Sequence, residues 1–442
     1  MPTLGLSMIV KNEATTLRQC LQSVSGVVSQ IVIADTGSTD GTAGIAREFG
    51  ATVISVPWEN HFAKARNAAL RLMETDWILV LDADEELDGE AKSQLPDLLR
   101  PWNVGGYLVP IRNYIPTVTG RGWDRVAEPN RGNHPRARQA PAYFVHENCR
   151  LFRRDPEVYF VGRVHELVET RIHALGRKLS MAPICLHHFG QLAREESRNR
   201  KATAYCDLLR LKVQDLPDDA MAWTQLGLQE YECSREPEEA LRCFDRALAL
   251  EPKAPAASLF KGMVYLDCGR HEEALSALDA APRDDRSRAL RQHLRGDALH
   301  NLGRLLDASA AYSEAVRLSG NDPVLSSKLG YTDVRLGRTR EGITRLKQTA
   351  EKAPEVAEIR ERLMKALVAL NSLAEAADQA EKLAGIEGTA KAYLRAASIR
   401  VHARQAAEAR EILNRGVALF PESAELRRAA DELCEKIKTA TV

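Results

Sequence analysis

Trp77-Ile78-Leu79-Val80-Leu81-Asp82-Ala83-Asp84-Glu85-Glu86 decides the reading of this chain. Five apolar residues make the pattern of a buried strand, and it runs straight into four carboxylates within five positions. In open α/β sheets the carboxyl ends of the strands are where ligands sit. Carboxylates gathered there repel one another at neutral pH unless something positive is held between them. Mg²⁺ or Mn²⁺ suits such a place, because hard cations take one or two carboxylates together with a substrate's phosphates. The Asp-x-Asp spacing lets a tight turn aim Asp82 and Asp84 at one point. The plain alternative is an acidic loop that opens a helix at Asp88, and the flanking sequence argues against it.

Upstream, Leu6-Ser7-Met8-Ile9-Val10 reads as a first strand, closed by Lys11-Asn12-Glu13 and followed by a helix carrying Leu17, Leu21 and Val24. Ile31 to Ala34 is a second strand, running into Asp35-Thr36-Gly37-Ser38-Thr39-Asp40-Gly41-Thr42. Polar, glycine-containing sequence at a strand-to-helix junction gives close backbone approach and a capped helix start. Asp35 stands where an acceptor reads a nucleobase or ribose edge, and Asp40 where a helix is capped. A third strand, Thr52 to Val56, precedes a helix from His61 to Leu70 that puts Phe62, Arg66 and Leu70 on related faces. Short apolar strands alternating with helices predict an α/β domain with a mostly parallel sheet. Neither a Gly-x-Gly-x-x-Gly nor a Gly-x-x-x-x-Gly-Lys-Ser/Thr loop occurs, so diphosphate binding must rest on metal and side chains.

Ser7 to Glu13, the Asp35-to-Thr42 run, Ala65-Arg66-Asn67 and Asp82-Ala83-Asp84-Glu85, in this order and spacing, resemble the motifs of family 2 glycosyltransferases with a GT-A fold. The chain is similar to the soluble branch that carries tetratricopeptide repeats and includes the sublancin-type peptide S-glycosyltransferases. The resemblance spans about residues 4–190 and implies a GT-A (nucleotide-diphospho-sugar transferase) domain over 1–190. It implies a UDP-sugar donor, a divalent cation and inversion at the anomeric carbon by direct displacement. Asp84 is then the direct metal ligand, Asp82 touches ribose or metal, and Asn12 and Glu13 line the nucleotide pocket. Asp35 reads the base and Arg66 approaches the phosphates.

Between Pro110 and Pro141, prolines and glycines leave no period, and Arg112, Arg121, Arg125, Arg131, Arg136 and Arg138 face only Asp124 and Glu128 in sign. Long irregular segments inside a compact domain are lids, binding loops or disorder. We expect residues 110–141 to be a basic lid over the sugar nucleotide or a loop gripping the acceptor, with a disordered insertion as the alternative. Order returns at Arg150-Leu151-Phe152-Arg153 and again from Tyr159 to Glu166. By the resemblance, Glu166 is the candidate base, with His165 orienting it or replacing it. His146-Glu147 is a second such pair in less typical surroundings. Alternation from Ile184 to Gly190 puts Ile184, Leu186 and His188 on one face. His188-Phe189-Gly190 matches the family's closing His-x-Gly, which makes His188 a candidate metal or phosphate contact.

After Gln191 the composition turns to Ala, Leu, Arg and Glu with helical spacing. The pairs Gly262 and Gly269, Gly296 and Gly303, and Gly330 and Gly337 recur at an offset of 34 residues, each followed by a small residue at Ala274, Ala308 or Gly342. That is the tetratricopeptide period and pattern. We expect a linker helix over 191–216, then an all-α solenoid of six repeats over 217–442, the last two degenerate, with a capping helix from Ser423 to Lys438. Concave solenoid surfaces commonly hold extended polypeptide. The repeats are therefore expected to bind a peptide or protein acceptor, with dimerisation or simple buttressing as the bland alternative and a homodimer left open.

Lys+Arg and Asp+Glu balance at 61 each, so no global charge argues for a nucleic acid polymer. No apolar run reaches the roughly 20 residues of a membrane span. The eight cysteines lack metal-site or disulfide spacing. A cytoplasmic protein is the expectation. The function expected is a metal-dependent glycosyltransferase acting on a peptide or protein side chain. Two alternatives stand beside it: an envelope saccharide or lipid-linked acceptor, and a catalytically silent repeat scaffold.

Overall fold

The computed structural model describes residues 2–117, 121–122, 125–192, 195–234, 236–281 and 287–439. It divides into two compact units, Met1–Ala257 and Ser258–Val442. Asp124, named above, lies outside the described residues.

In the first unit, β1 (Leu4–Val10), α1 (Leu17–Ser23), β2 (Gln30–Asp35), α2 (Thr42–Glu48), β3 (Thr52–Ser55), α3 (Phe62–Leu70) and β4 (Trp77–Val80) alternate as the sequence predicts. The four strands lie parallel in the order β3-β2-β1-β4, with Leu6 beside both Ile31 and Leu79. Alternate residues point to opposite faces, and both faces are covered. Leu6, Met8, Ile33 and Leu79 pack with Leu17 and Leu21 of α1 on one side. Val32, Ala34, Ile78 and Val80 pack with Ala63 and Ala69 of α3 on the other. Double coverage is why these strands read as continuous apolar runs.

The chain continues through β5 (Glu85–Leu87), α4 (Ala91–Leu98), β6 (Val104–Ile115), β7 (Arg121–Gly122), β8 (Arg125–Val126), β9 (Glu128–Pro129), β10 (Ala142–Arg153), α5 (Glu169–Ala174), β11 (Lys178–Met181) and β12 (Leu186–His188). The sheet runs on as β4-β10-β6-β12-β5, with β10 antiparallel to both β4 and β6. Part of the segment 110–141, expected to be irregular, is strand. Strand β6 runs through Pro110 to Ile115, and Pro110 stands opposite Glu147. On its other side β6 pairs with β11 up to Leu108 and with β12 from Ile111. The proline falls between those two partners, where a missing N–H is best tolerated. Of the remaining irregular residues, Ala137 and Ala140 are buried against Tyr114 and Phe189. Asn130 Nδ2 ties that turn together through Ala137 O and Ala140 O.

Helix α6 (Glu195–Asp215) and the pair α7 (Ala220–Ser234) and α8 (Pro237–Leu250) group with the first unit. Further pairs follow: α9 (Pro255–Asp267) and α10 (His271–Ala280), α11 (Arg288–Asn301) and α12 (Leu305–Leu318), and α13 (Pro323–Arg335) and α14 (Thr339–Lys352). Then come α15 (Ala357–Ala369) and α16 (Leu373–Glu387), α17 (Ala390–His402) and α18 (Ala406–Leu419), and α19 (Ala424–Thr439). The 34-residue glycine register has two separate causes. A Cβ at Gly296 would stand 2.5 Å from the Tyr312 ring and one at Gly262 2.6 Å from Leu278, so these glycines admit the partner helix. Gly269, Gly303 and Gly337 instead sit at φ between +72° and +82° just past helix ends, where only glycine is unstrained.

Candidate active site

Asp82 lies just past the end of β4, at the centre of a charge cluster assembled from distant segments. Its Oδ1 accepts from Arg66 Nη2 of α3 at 2.7 Å, and its Oδ2 from Arg150 Nη2 of β10 at 2.9 Å. Arg66 Nε also donates to Glu166 Oε1 at 2.5 Å, and Arg150 to Glu85 Oε1 at 2.8 Å. Glu85 Oε2 accepts the Asp82 backbone N–H at 2.9 Å and so closes the turn after the strand. Burial opposes ionisation of Asp82, but the guanidiniums of Arg150 and Arg66 outweigh it and hold the carboxyl well below its usual range. Glu85 goes the other way. Burial, with the Asp82 charge beside it, pushes it up to about 7 against the pull of Arg150. Among the described residues, Arg66 Nη1 is buried without a hydrogen-bond partner. Such groups are rare, and each asks for an explanation.

Asp84, two residues on, meets His188 of β12, with Nε2 3.5 Å from Oδ1. The Phe189 N–H donates to Asp84 O at 3.1 Å and fixes the two strand ends together. Gly190 completes the contact. A Cβ there would stand 2.7 Å from His188 Nε2 and 2.8 Å from Asp84 Oδ2, so the glycine leaves these two atoms their room. Burial opposes a charge on His188, yet Asp84, with Glu85 and Asp82 behind it, holds the imidazole above its ordinary value. His188 Nδ1 meets Asn113 Oδ1 at 2.7 Å.

A hard divalent cation fits this arrangement in part. Among the described residues no group of three or more His, Cys, Asp or Glu is placed to hold a metal ion. Asp84 and His188 supply one carboxylate and one imidazole, a set that a substrate diphosphate and water can complete. Asp82 fits less well than the sequence suggests, since both its oxygens are already taken by guanidiniums.

The β1 and β2 ends form the neighbouring wall. Asp35 Oδ1 accepts from the N–H groups of Gly37 and Ser38 at 3.0 and 2.8 Å, so half of its carboxylate shapes its own loop. Asn12, at φ +56°, accepts the Thr39 N–H at 2.7 Å and donates its own N–H to Ser38 Oγ at 2.9 Å. Glu13 takes the Thr16 hydroxyl at 2.9 Å, while its N–H donates to Thr42 Oγ1 at 2.8 Å. These residues therefore knit the two loops together. Asp40 does not cap α2, whose N-cap is Gly41; it accepts from Thr42 N–H and from Ala14 N–H instead.

Glu166 is carried by a tight loop closed by paired hydrogen bonds between Val161 and Leu167, of 2.9 and 3.0 Å. His165 in that loop is exposed at φ +52°, and the structure brings Glu166 rather than His165 to the arginines. Helix α6 braces the loop: Arg163 pairs with Asp215 at 2.6 Å, and Lys212 Nζ donates to Val164 O at 3.2 Å. Tyr205 of α6 stacks on Phe62 at 5.6 Å and lies 6.0 Å from the His165 ring. The helix expected only to link two domains is thus part of the wall around Glu166.

Sequence reasoning missed Arg150, Glu85, Asn113 and Tyr205. Glu85 lay inside the motif already singled out, and the available signal for Arg150 was an arginine set between Cys149 and the apolar pair Leu151-Phe152. Nothing in local spacing marks Asn113 or Tyr205.

Residues 6–159 match glycosyl transferase family 2, and residues 229–289 and 327–388 match the tetratricopeptide repeat. A TPR repeat-containing protein of Synechococcus elongatus is 30% identical over 329 residues, covering 72% of this chain and 73% of that protein. An uncharacterized glycosyltransferase of Rickettsia felis is 35% identical over 108 residues, 24% of this chain and 38% of its own. The glycosyltransferase SunS of Bacillus subtilis is 27% identical over 176 residues, 39% of this chain and 36% of its own. The chain therefore spans nearly three quarters of the first relative and less than two fifths of the other two.

Proposed function

The chain belongs to the family 2 glycosyltransferases that carry tetratricopeptide repeats, and from that premise we propose that it moves a sugar from a nucleotide-diphosphate sugar to a peptide or protein side chain, with inversion at the anomeric carbon. The observation that carries the reading is the convergence at the end of β4 of Asp82, Asp84, Arg66, Glu166 and His188, drawn from four separate parts of the sequence.

In this reading Asp84 and His188 Nε2 are the protein's ligands for Mn²⁺ or Mg²⁺. The cation, when bound, neutralises the departing diphosphate. Asp82, locked between Arg66 and Arg150, holds both guanidiniums in place and lies within reach of the ribose. Arg66 Nη1 takes a phosphate oxygen, which satisfies the buried N–H that the protein leaves without a partner. Asp35 reads the base with the oxygen its loop does not use, beside Asn12 and Glu13, and a UDP-sugar is the expected donor. Glu166, held by Arg66, accepts the acceptor's proton as the acceptor heteroatom bonds to the anomeric carbon and the bond to diphosphate breaks. His165 flanks the acceptor.

The repeats supply the polypeptide specificity, since stacked helical pairs offer far more surface than a sugar acceptor uses. No helix among the described residues is long and apolar enough to cross a membrane. The cysteines are free thiols, which suits a reducing, cytoplasmic setting.

The test incubates purified protein with a panel of sugar nucleotides and Mn²⁺, following donor hydrolysis and mass added to candidate peptides. A truncation for the acceptor question ends at Ala257, where the first compact unit ends. It should keep metal-dependent donor hydrolysis and lose transfer to polypeptide. Unchanged transfer would reduce the repeats to a structural or dimerising role, and transfer only to saccharide or lipid-linked acceptors would overturn the polypeptide assignment.

A further inference from the structure

Asn113, near the end of β6 and 4% exposed, touches groups whose hydrogen-bonding roles leave it no freedom. Its Nδ2 lies 3.1 Å from Ile111 O, 3.3 Å from Phe144 O and 2.7 Å from His146 Nδ1. Its Oδ1 lies 2.7 Å from His188 Nδ1. Carbonyl oxygens only accept, so the amide nitrogen must be the end that faces them. A flipped amide would set its oxygen against two carbonyl oxygens in a buried place and leave its NH₂ facing away from both. With the amide so fixed, Oδ1 confronts His188, and an oxygen acceptor can bind that ring only if Nδ1 carries a hydrogen. His188 Nε2 in the neutral ring is then bare, and it faces Asp84 across the space that Gly190 keeps open. The amide nitrogen has two hydrogens for three acceptors: one goes to His146 Nδ1, the nearest at 2.7 Å, which is then bare with its hydrogen on Nε2, and the other is shared between the two carbonyls. One buried side chain thus holds two imidazoles in opposite tautomers.

We propose that Asn113 is a positioning residue: it forces the Nδ1–H tautomer on His188 and so turns Nε2 into a lone-pair donor beside Asp84. The consequence for function rests on the reading of Asp84 and His188 as a cation pair. In water the neutral ring favours hydrogen on Nε2, the form in which that atom cannot ligate. A hydrogen bond to the distal nitrogen is the usual device for orienting a ligating imidazole and raising its basicity, and its loss typically weakens metal affinity about 10–100-fold.

The experiment uses the full-length, metal-free protein with ¹⁵N-labelled histidine, at alkaline pH where the rings are neutral. His188 and His146 are assigned by the resonances lost in His188→Gln and His146→Gln. The expected spectrum shows Nδ1–H for His188 and Nε2–H for His146; Nε2–H on His188 overturns the proposal. In Asn113→Leu the His188 tautomer should move toward Nε2–H. In the same variant the Mn²⁺ dissociation constant, read by electron paramagnetic resonance with UDP present, should rise about 10–100-fold. Turnover in that variant should recover at saturating Mn²⁺. Unchanged Mn²⁺ affinity in a folded Asn113→Leu protein overturns the positioning role. Should that variant fail to fold, the wild-type spectrum still decides the tautomer. Wild-type protein with Nδ1–H on His188 and no Mn²⁺ binding would uphold Asn113's control of the ring and overturn only the cation reading.

Discussion

Two clusters of buried charge, one at the end of β4 and one joining α11 to α13, use the same side-chain types in opposite proportions. At the sheet, Asp82, Glu85 and Glu166 share Arg66 and Arg150, with Asp84 alongside. In the helices a lone Asp297 receives Lys328 Nζ at 2.6 and 2.7 Å and the Tyr312 hydroxyl at 2.7 Å, while the same ammonium donates to His293 Nε2 at 2.7 Å. Burial opposes ionisation in both places, and the outcome follows the local balance. Glu85 is pushed up to about 7, whereas the Lys328 ammonium holds Asp297 well below the ordinary carboxyl value. Carboxylates in excess at a strand end leave room for a cation from outside, the role proposed above for Asp84, and a perturbed group in such a place is a candidate for function. A carboxylate surrounded by donors is already compensated and ties helices together. The sign of the imbalance, more than burial itself, separates the site from the scaffold.

The comparison breaks most sharply at Asp84. Asp84→Asn should leave thermal unfolding near wild type and lower Mn²⁺-dependent transfer by about 10⁴-fold, on the scale of lost electrostatic stabilisation of a leaving diphosphate. Donor turnover persisting in that variant with EDTA present would remove the cation from the site. Glu166→Gln should cost on the order of 10²–10⁴ in turnover with donor affinity nearly unchanged, as a general base requires. Loss of donor affinity at normal turnover would make Glu166 a binding residue. Gly190→Ala forces a methyl against Nε2 and Oδ2 and should lower turnover by about 10², with Mn²⁺ affinity falling in parallel. Equal activity would show that the two atoms need not converge.

On the scaffold side the expected effects are on stability alone. Asp297→Asn leaves Lys328 buried beside a neutral amide and should cost about 3 kcal/mol, read from denaturant midpoints. Donor hydrolysis should stay within about twofold of wild type. The smallest effect is a pH dependence. A depressed folded-state value means that the Asp297 contribution is present above the unfolded carboxyl value of about 3.9 and is lost as pH falls through the folded value below it. The stability gap between wild type and Asp297→Asn should therefore be flat from neutrality to about pH 4 and shrink only in more acid solution. A gap that closes between pH 5 and 7 would assign it to another group.

Most of this was legible where structure depends on local pattern. The apolar run before Asp82 marked β4 because both faces of that strand are covered. The 34-residue glycine register marked the repeats because one glycine admits the facing helix and the other turns the chain. His188 and Gly190 were singled out by a short motif, and the structure sets both against Asp84. The unreadable part depends on long-range pairing. Arg150 reaches Glu85 across 65 positions and Asn113 reaches His188 across 75, both through register in the mixed half of the sheet. Pro110 hid β6 because a proline inside a strand is legible only when its neighbours are known. Asp82 was read as a metal ligand because spacing shows that two aspartates converge but not that two arginines arrive first.

The brace that α6 lays on the Glu166 loop has a consequence for synthesis. Lys212 reaches Val164 over 48 positions and Asp215 reaches Arg163 over 52. A chain emerging from the ribosome releases its N-terminal segments first. Every strand of the sheet is therefore available before the residues that steady this loop exist. A nascent chain stopped near residue 190 would hold a complete sheet whose proposed base has Arg66 but still lacks its brace. Readiness for chemistry would then arrive with the first helical turns beyond the sheet, so translation itself orders when the nascent enzyme can begin to act.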